Sequence, residues 1–100
     1  MPHLPLGRTV ATPSIAGLAQ ADEAFQQFIQ KSMQRHQQGD WGECGPEDTL
    51  ANNQALKDGD RILSTYKLPP HLREQTGIPK IWILTEADRS ATIIMQPSEY

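Results

Sequence analysis

The period of the apolar positions changes near Asp60, from helical spacing to strict alternation. Over residues 22–37, Phe25, Phe28, Ile29 and Met33 form one stripe of an amphipathic helix. Asp22 and Glu23 lie at its electropositive end, with Lys31 and Arg35 toward the other. Gly39 stands where a left-handed glycine ends such a helix. A second helix starts at Pro46, favourable at a first helical position, and runs through Leu50, Ala51, Ala55 and Leu56 to Gly59. Its narrow apolar face predicts half-burial. Beyond Asp60, Ile62, Ser64, Tyr66 and Leu68 alternate with Leu63, Thr65 and Lys67, which is the signature of a strand. The β-branched and aromatic run 81–85 and the run Ala91–Met95 predict two more strands, joined by a tight connection over 87–90.

Upstream, residues 1–13 hold three prolines and read as an extended arm with a short edge strand around Arg8–Ala11. Ser14 offers an N-cap for a brief helical turn through Ile15, Leu18 and Ala19. The linker 39–45 places three glycines around Trp41, which predicts a turn that plugs one large side chain back into the core. Pro69, Pro70, Gly77 and Pro79 mark 69–79 as a mobile loop. The predicted architecture is a single α+β domain over 1–100: the arm 1–13, a helical part 14–59, and a β-meander 60–100. Two or three N-terminal helices pack on a three-stranded antiparallel sheet.

Composition narrows what such a domain does. The chain has 100 residues, 37% apolar and 21% charged, which is above the disordered regime and enough for one core. The N-terminal segment lacks a secretory pattern and no stretch is long and apolar enough to span a membrane, so a cytoplasmic location is expected. Cys44 is the only cysteine, which excludes an internal disulfide. A net charge of −3 argues against general binding to nucleic acid backbones.

Candidate chemistry is sparse. His36, Asp40, Glu43 and Cys44 are metal-ligating types within nine residues, but their spacing is not that of a zinc module; solvent-facing histidines and one buried thiol are expected, with no metal or cofactor. Glu43 beside Cys44 discourages thiolate formation, and no serine sits in a nucleophile-elbow context. Glu86 and Asp88 bring two carboxylates to a hairpin turn, where a turn-capping Asp88 and an ion-paired or surface Arg89 explain them better than acid–base catalysis. No enzyme is expected. The charge distribution is more informative. Over 40–60, Asp40, Glu43, Glu47, Asp48, Asp58 and Asp60 face only Lys57. Such a cluster is either a solvated helix face or a surface that attracts Lys- and Arg-rich protein grooves. With Trp41 as an aromatic anchor, these six carboxylates form the predicted partner-binding site. Arg61, Lys67, Arg73 and Lys80 leave a small DNA-binding or regulatory protein as the alternative.

The run Gly39-Asp40-Trp41-Gly42, then Glu47-Asp48, Ala55-Leu56, Gly59-Asp60-Arg61, Leu63-Ser64 and Tyr66, then Ile81-Trp82-Ile83, Thr85-Glu86, Asp88-Arg89-Ser90 and Thr92 resembles a family of small plasmid-related proteins encoded on bacterial mobile elements. The resemblance covers 39–100. Members of that family join the first two strands of the meander by a short Asp-Gly turn, whereas here the connection 69–79 is longer. The chain is also similar to anti-CRISPR inhibitors of type I-F systems. That likeness implies a stoichiometric binder of the crRNA-guided surveillance (Csy or Cascade) complex that blocks target DNA recognition, with protein contacts and no direct nucleic acid contact.

Overall fold

The computed structural model describes residues 3–100. Its elements are β1 (Arg8–Ala11), α1 (Pro13–Ala21), α2 (Glu23–Gln37), α3 (Pro46–Asp58), β2 (Ile62–Lys67), α4 (Pro70–Thr76), β3 (Lys80–Thr85), β4 (Ala91–Met95) and a 3-10 turn (Pro97–Glu99). The class is α+β, but the sheet has four strands in the order β1-β4-β3-β2 and is mixed. Strands β2, β3 and β4 form the antiparallel meander. The proline-rich arm adds the fourth strand, because β1 pairs with β4 in parallel, Arg8 opposite Ala91 and Val10 opposite Ile93. A parallel neighbour needs a long crossover, and the helices between β1 and β4 supply it.

Local chemistry sets most boundaries. Asp22 caps α2, its Oδ1 accepting from the amides of Ala24 and Phe25 at 3.0 and 3.2 Å. Pro46 opens α3 and Gly59, at φ 76°, closes it. The cap of α1 is Thr12 rather than Ser14, since Pro13 takes the first helical position. The hydroxyls of Thr12 and Ser14 instead donate to the Glu99 carboxylate, each at 2.9 Å, joining the 3-10 turn to the start of α1. The segment expected to be a mobile loop is largely α4. Leu72 and Ile78 are buried in the core, and Gly77, at φ 77°, ends the helix. Pro69 and Pro70, which suggested a loop, sit before and at the first turn, where they favour a helix start, and Pro79 lies beyond the helix end.

Ile15, Phe25, Ile29 and Leu72 from α1, α2 and α4 pack on Tyr66, Ile81, Ile83 and Ile94 of the sheet. Leu4, Trp41, Ala55 and Ile62 form a second cluster at the α3 end. The free edge of β2 is closed twice. The Asn52 amide brackets Leu63, accepting from its N–H at 3.3 Å and donating to its carbonyl at 2.8 Å. Two residues further on, Thr65 donates to the Trp41 carbonyl and accepts from the Glu43 amide. That bridge needs glycine at position 42: φ is 74°, and a Cβ there would strike the Thr65 carbonyl and the Tyr66 ring. A capped edge resists pairing with other strands.

Candidate protein-binding surface

The seven residues of the predicted acidic site do not form one patch. Asp40 is engaged within the chain, its carboxylate holding Arg35 through Nε at 2.8 Å and a second guanidinium nitrogen at 3.2 Å. The Arg35 hydrogen bond keeps the Asp40 carboxyl below its ordinary range, against a smaller opposing effect of burial. Trp41 is 3% exposed and donates its indole N–H to Asn53 at 2.8 Å. It therefore belongs to the core, as the turn predicted, and the folded chain does not present it as a surface anchor. Glu43, Glu47 and Asp48 are exposed, with no side-chain hydrogen bond or ion pair among the described residues. Asp58, which accepts from Gln54, and Asp60 lie at the other end of α3, roughly 15 Å from Asp48 at 1.5 Å per residue. The cluster is thus split into an N-terminal group of three and a C-terminal pair.

The most chemical-looking group in the molecule is inward. His36 is fully buried rather than solvent-facing, with Nδ1 2.6 Å from Ser64 Oγ and Nε2 2.8 Å from Thr85 Oγ1. Thr85 meets Thr92 at 2.8 Å, and Thr92 donates to the Leu6 carbonyl at 2.7 Å. This last bond orders every proton along the series. Thr92 must accept from Thr85, so Thr85 accepts from His36 Nε2–H, and the bare Nδ1 accepts from Ser64. Burial first, and the nearby Arg89 charge second, push the imidazole down to about 4, so it is neutral near pH 7. The Ser64–His36 pair is sealed from any substrate and fully partnered, so it serves as a polar seam within the core. Sequence reasoning missed it because serine, threonine and histidine usually read as surface. The only warning was position: Ser32 and His36 continue the Phe25–Ile29 stripe at helical spacing.

Cys44 is half-buried and its thiol donates to the Trp41 carbonyl at 3.2 Å. Among the described residues no three His, Cys, Asp or Glu side chains converge as metal ligands. At the β3–β4 turn, Asp88 accepts from the Ser90 amide at 3.0 Å, the expected turn cap; the hydrogen bonds from Ser90 lower its pKa and keep it ionised. Arg89, at φ 61°, reaches across to the carbonyls of Ala55 and Asp60 and so caps the C-terminal end of α3, instead of pairing with a carboxylate.

The accessible feature lies on the other face of the sheet. Alternation places Leu63 and Thr65 of β2, Trp82 and Leu84 of β3, and Ile93 and Met95 of β4 opposite the helices that cover the main core; Leu84 and Met95 are buried there, and the other four are partly exposed. The Tyr100 ring stands edge-to-face with Trp82 at 5.5 Å, and the Arg61 guanidinium lies 5.4 Å from the Tyr100 ring. Beside Trp82 a cleft of about 220 Å³ opens between sheet and α3, lined by Cys44, Asp48, Ala51, Asn52, Leu63, Thr65 and Trp82. Trp82, absent from the predicted site, was readable from parity: inward Ile81 and Ile83 force it outward. Its place in one cleft with Asp48 required the fold. No protein-family model, characterised protein or solved structure matches this chain significantly.

Proposed function

We propose that the chain is a protein-binding module of a mobile element that inhibits by occupancy. The partner we propose is the crRNA-guided surveillance complex of type I-F systems, which the chain would block from binding target DNA. The observation that supports this reading is the exposed group Glu43, Glu47 and Asp48, which forms no ion pair among the described residues: Asp48 lines the Trp82 cleft, and Glu43 and Glu47 adjoin its lining residues in the chain. Clustered carboxylates attract the Lys- and Arg-rich grooves that otherwise hold phosphates, and an aromatic beside them supplies the contact that interfaces favour. A modest net charge of −3 fits competition through a few placed carboxylates rather than imitation of a whole duplex.

The test is a pull-down of the tagged chain from lysate carrying a type I-F surveillance complex, followed by target-DNA binding with and without it. Co-purification with loss of DNA binding is expected. Reversal of Glu43, Glu47 and Asp48 to lysine should abolish both, whereas reversal of Asp58 and Asp60 should leave both intact. Absence of association overturns the partner, and salt-sensitive retention on DNA by the chain alone would establish the DNA-binding alternative instead.

A further inference from the structure

We propose that the Trp82 cleft receives a single basic side chain, arginine in preference to lysine, presented by the partner; this rests on the protein-binding reading above. Size argues first. At about 220 Å³ the cleft lies below the roughly 300–1,000 Å³ of small-molecule sites and matches one long side chain. Its walls divide by chemistry. Ala51, Leu63 and Trp82 offer apolar surface for a methylene stem. The Trp82 Nε1 atom is covered and has no partner among the described residues, so the half-buried ring presents carbon rather than its N–H.

The polar groups of the lining are then sorted by what is already engaged. The Asn52 amide is held by Leu63, and the Cys44 thiol donates to Trp41. The Asp48 carboxylate and the Thr65 hydroxyl have no side-chain hydrogen bond among the described residues. Both accept hydrogen bonds, and one is an anion. A site built of an indole, a carboxylate and a hydroxyl acceptor selects a cation. Three arginines of the chain itself are committed elsewhere: Arg35 to Asp40, Arg61 to the Tyr100 ring, Arg89 to the end of α3. Lys67 and Lys80 oppose each other two residues along the strands from Thr65 and Trp82, on the same side of the sheet. A planar guanidinium stacks on an indole and forks onto a carboxylate together, which an ammonium does not.

The experiment is a titration of the full ¹⁵N-labelled chain with N-acetyl-arginine amide, followed by its uncharged isostere N-acetyl-citrulline amide and by N-acetyl-lysine amide. The chain has two tryptophans and so two indole N–H signals. That of Trp82 should shift saturably with arginine, together with the amides of Asp48 and Thr65, while that of buried Trp41 stays fixed. Citrulline should be silent and lysine weaker. Asp48→Asn should weaken arginine binding roughly fivefold to tenfold, the size expected for losing one charge at a partly exposed site. Asp60→Asn should leave it unchanged. No saturable shift, equal shifts with citrulline, or indifference to Asp48→Asn overturns the proposal. The titration needs no surveillance complex, so the two readings fail separately. Arginine binding without pull-down removes the proposed partner and keeps the cleft. Pull-down that survives both Asp48→Asn and Trp82→Leu keeps the partner and removes the cleft.

Discussion

On the face of the sheet that the helices cover, the polar side chains are buried and fully partnered; on the opposite face, Leu63, Trp82 and Ile93 are only partly covered, and Thr65 and Asp48 beside them lack side-chain partners among the described residues. His36, Ser64, Thr85 and Thr92 on the inner face resemble a catalytic constellation by residue type, yet each proton has its acceptor and solvent is excluded. Trp82, Thr65 and Asp48 on the outer face belong to no catalytic motif, yet they line a cleft open to a binding partner, and the Asp48 carboxylate and Thr65 hydroxyl have no side-chain hydrogen bond among the described residues. Residue type proposes chemistry, while accessibility and unmet hydrogen bonding decide where it resides.

Substitutions test that contrast directly. The largest effect is expected inside. His36→Ala leaves the Ser64 hydroxyl without its acceptor, takes from Thr85 the donor it accepts from, and opens a cavity, costing about 3–5 kcal/mol. At about 4–8 °C per kcal/mol for a chain this size, the thermal midpoint should fall by more than about 10 °C. A small change there would show the seam to be incidental. The same residue sets a pH dependence. Its imidazole titrates at about 4 when folded against an ordinary 6.5, so between those values the unfolded chain binds the additional proton. Stability from this group is full above pH 6.5, declines by about 3 kcal/mol as pH falls to 4, and then levels off. Denaturant midpoints across that window should show the decline in the wild-type chain, and His36→Gln should flatten it.

Arg89→Ala is intermediate. It removes the guanidinium from the Ala55 and Asp60 carbonyls and should cost about 1–3 kcal/mol, measured by urea unfolding. On the outer face the expected order of effects inverts. Asp48→Asn removes an exposed, unpaired charge and should move stability by no more than about 0.5 kcal/mol. Its consequence is confined to the arginine titration and partner capture. Loss of stability without loss of binding would place Asp48 among the structural residues and collapse the contrast between the faces.

Much of the fold was legible because its elements announce themselves locally. Asp22, the Phe25–Ile29 stripe and Gly39 define α2; Pro46 and Gly59 bracket α3; alternation marks β2. The plug formed by Trp41 followed from one large side chain among glycines. What failed had non-local causes. Leu72 of α4 and Ile78 just after it join the core, but two apolar residues among prolines carry no period. The parallel pairing of β1 depends on a partner more than eighty residues away. The acidic site was read as contiguous because its residues are close in sequence, and a rigid helix sets its two halves apart.

The main helices and strands, most of their caps, and the division of each strand into two faces are written in the order of the residues. They follow from backbone sterics, hydrogen-bonding termini and the periods of 3.6 and 2, all acting within a few residues. Which polar groups are satisfied and which stay open is settled only when the chain is folded. Whether His36 meets Ser64 and Thr85, or Asp48 shares a cleft with Trp82, depends on distances between elements far apart in the chain, and those distances are set by packing the whole core at once.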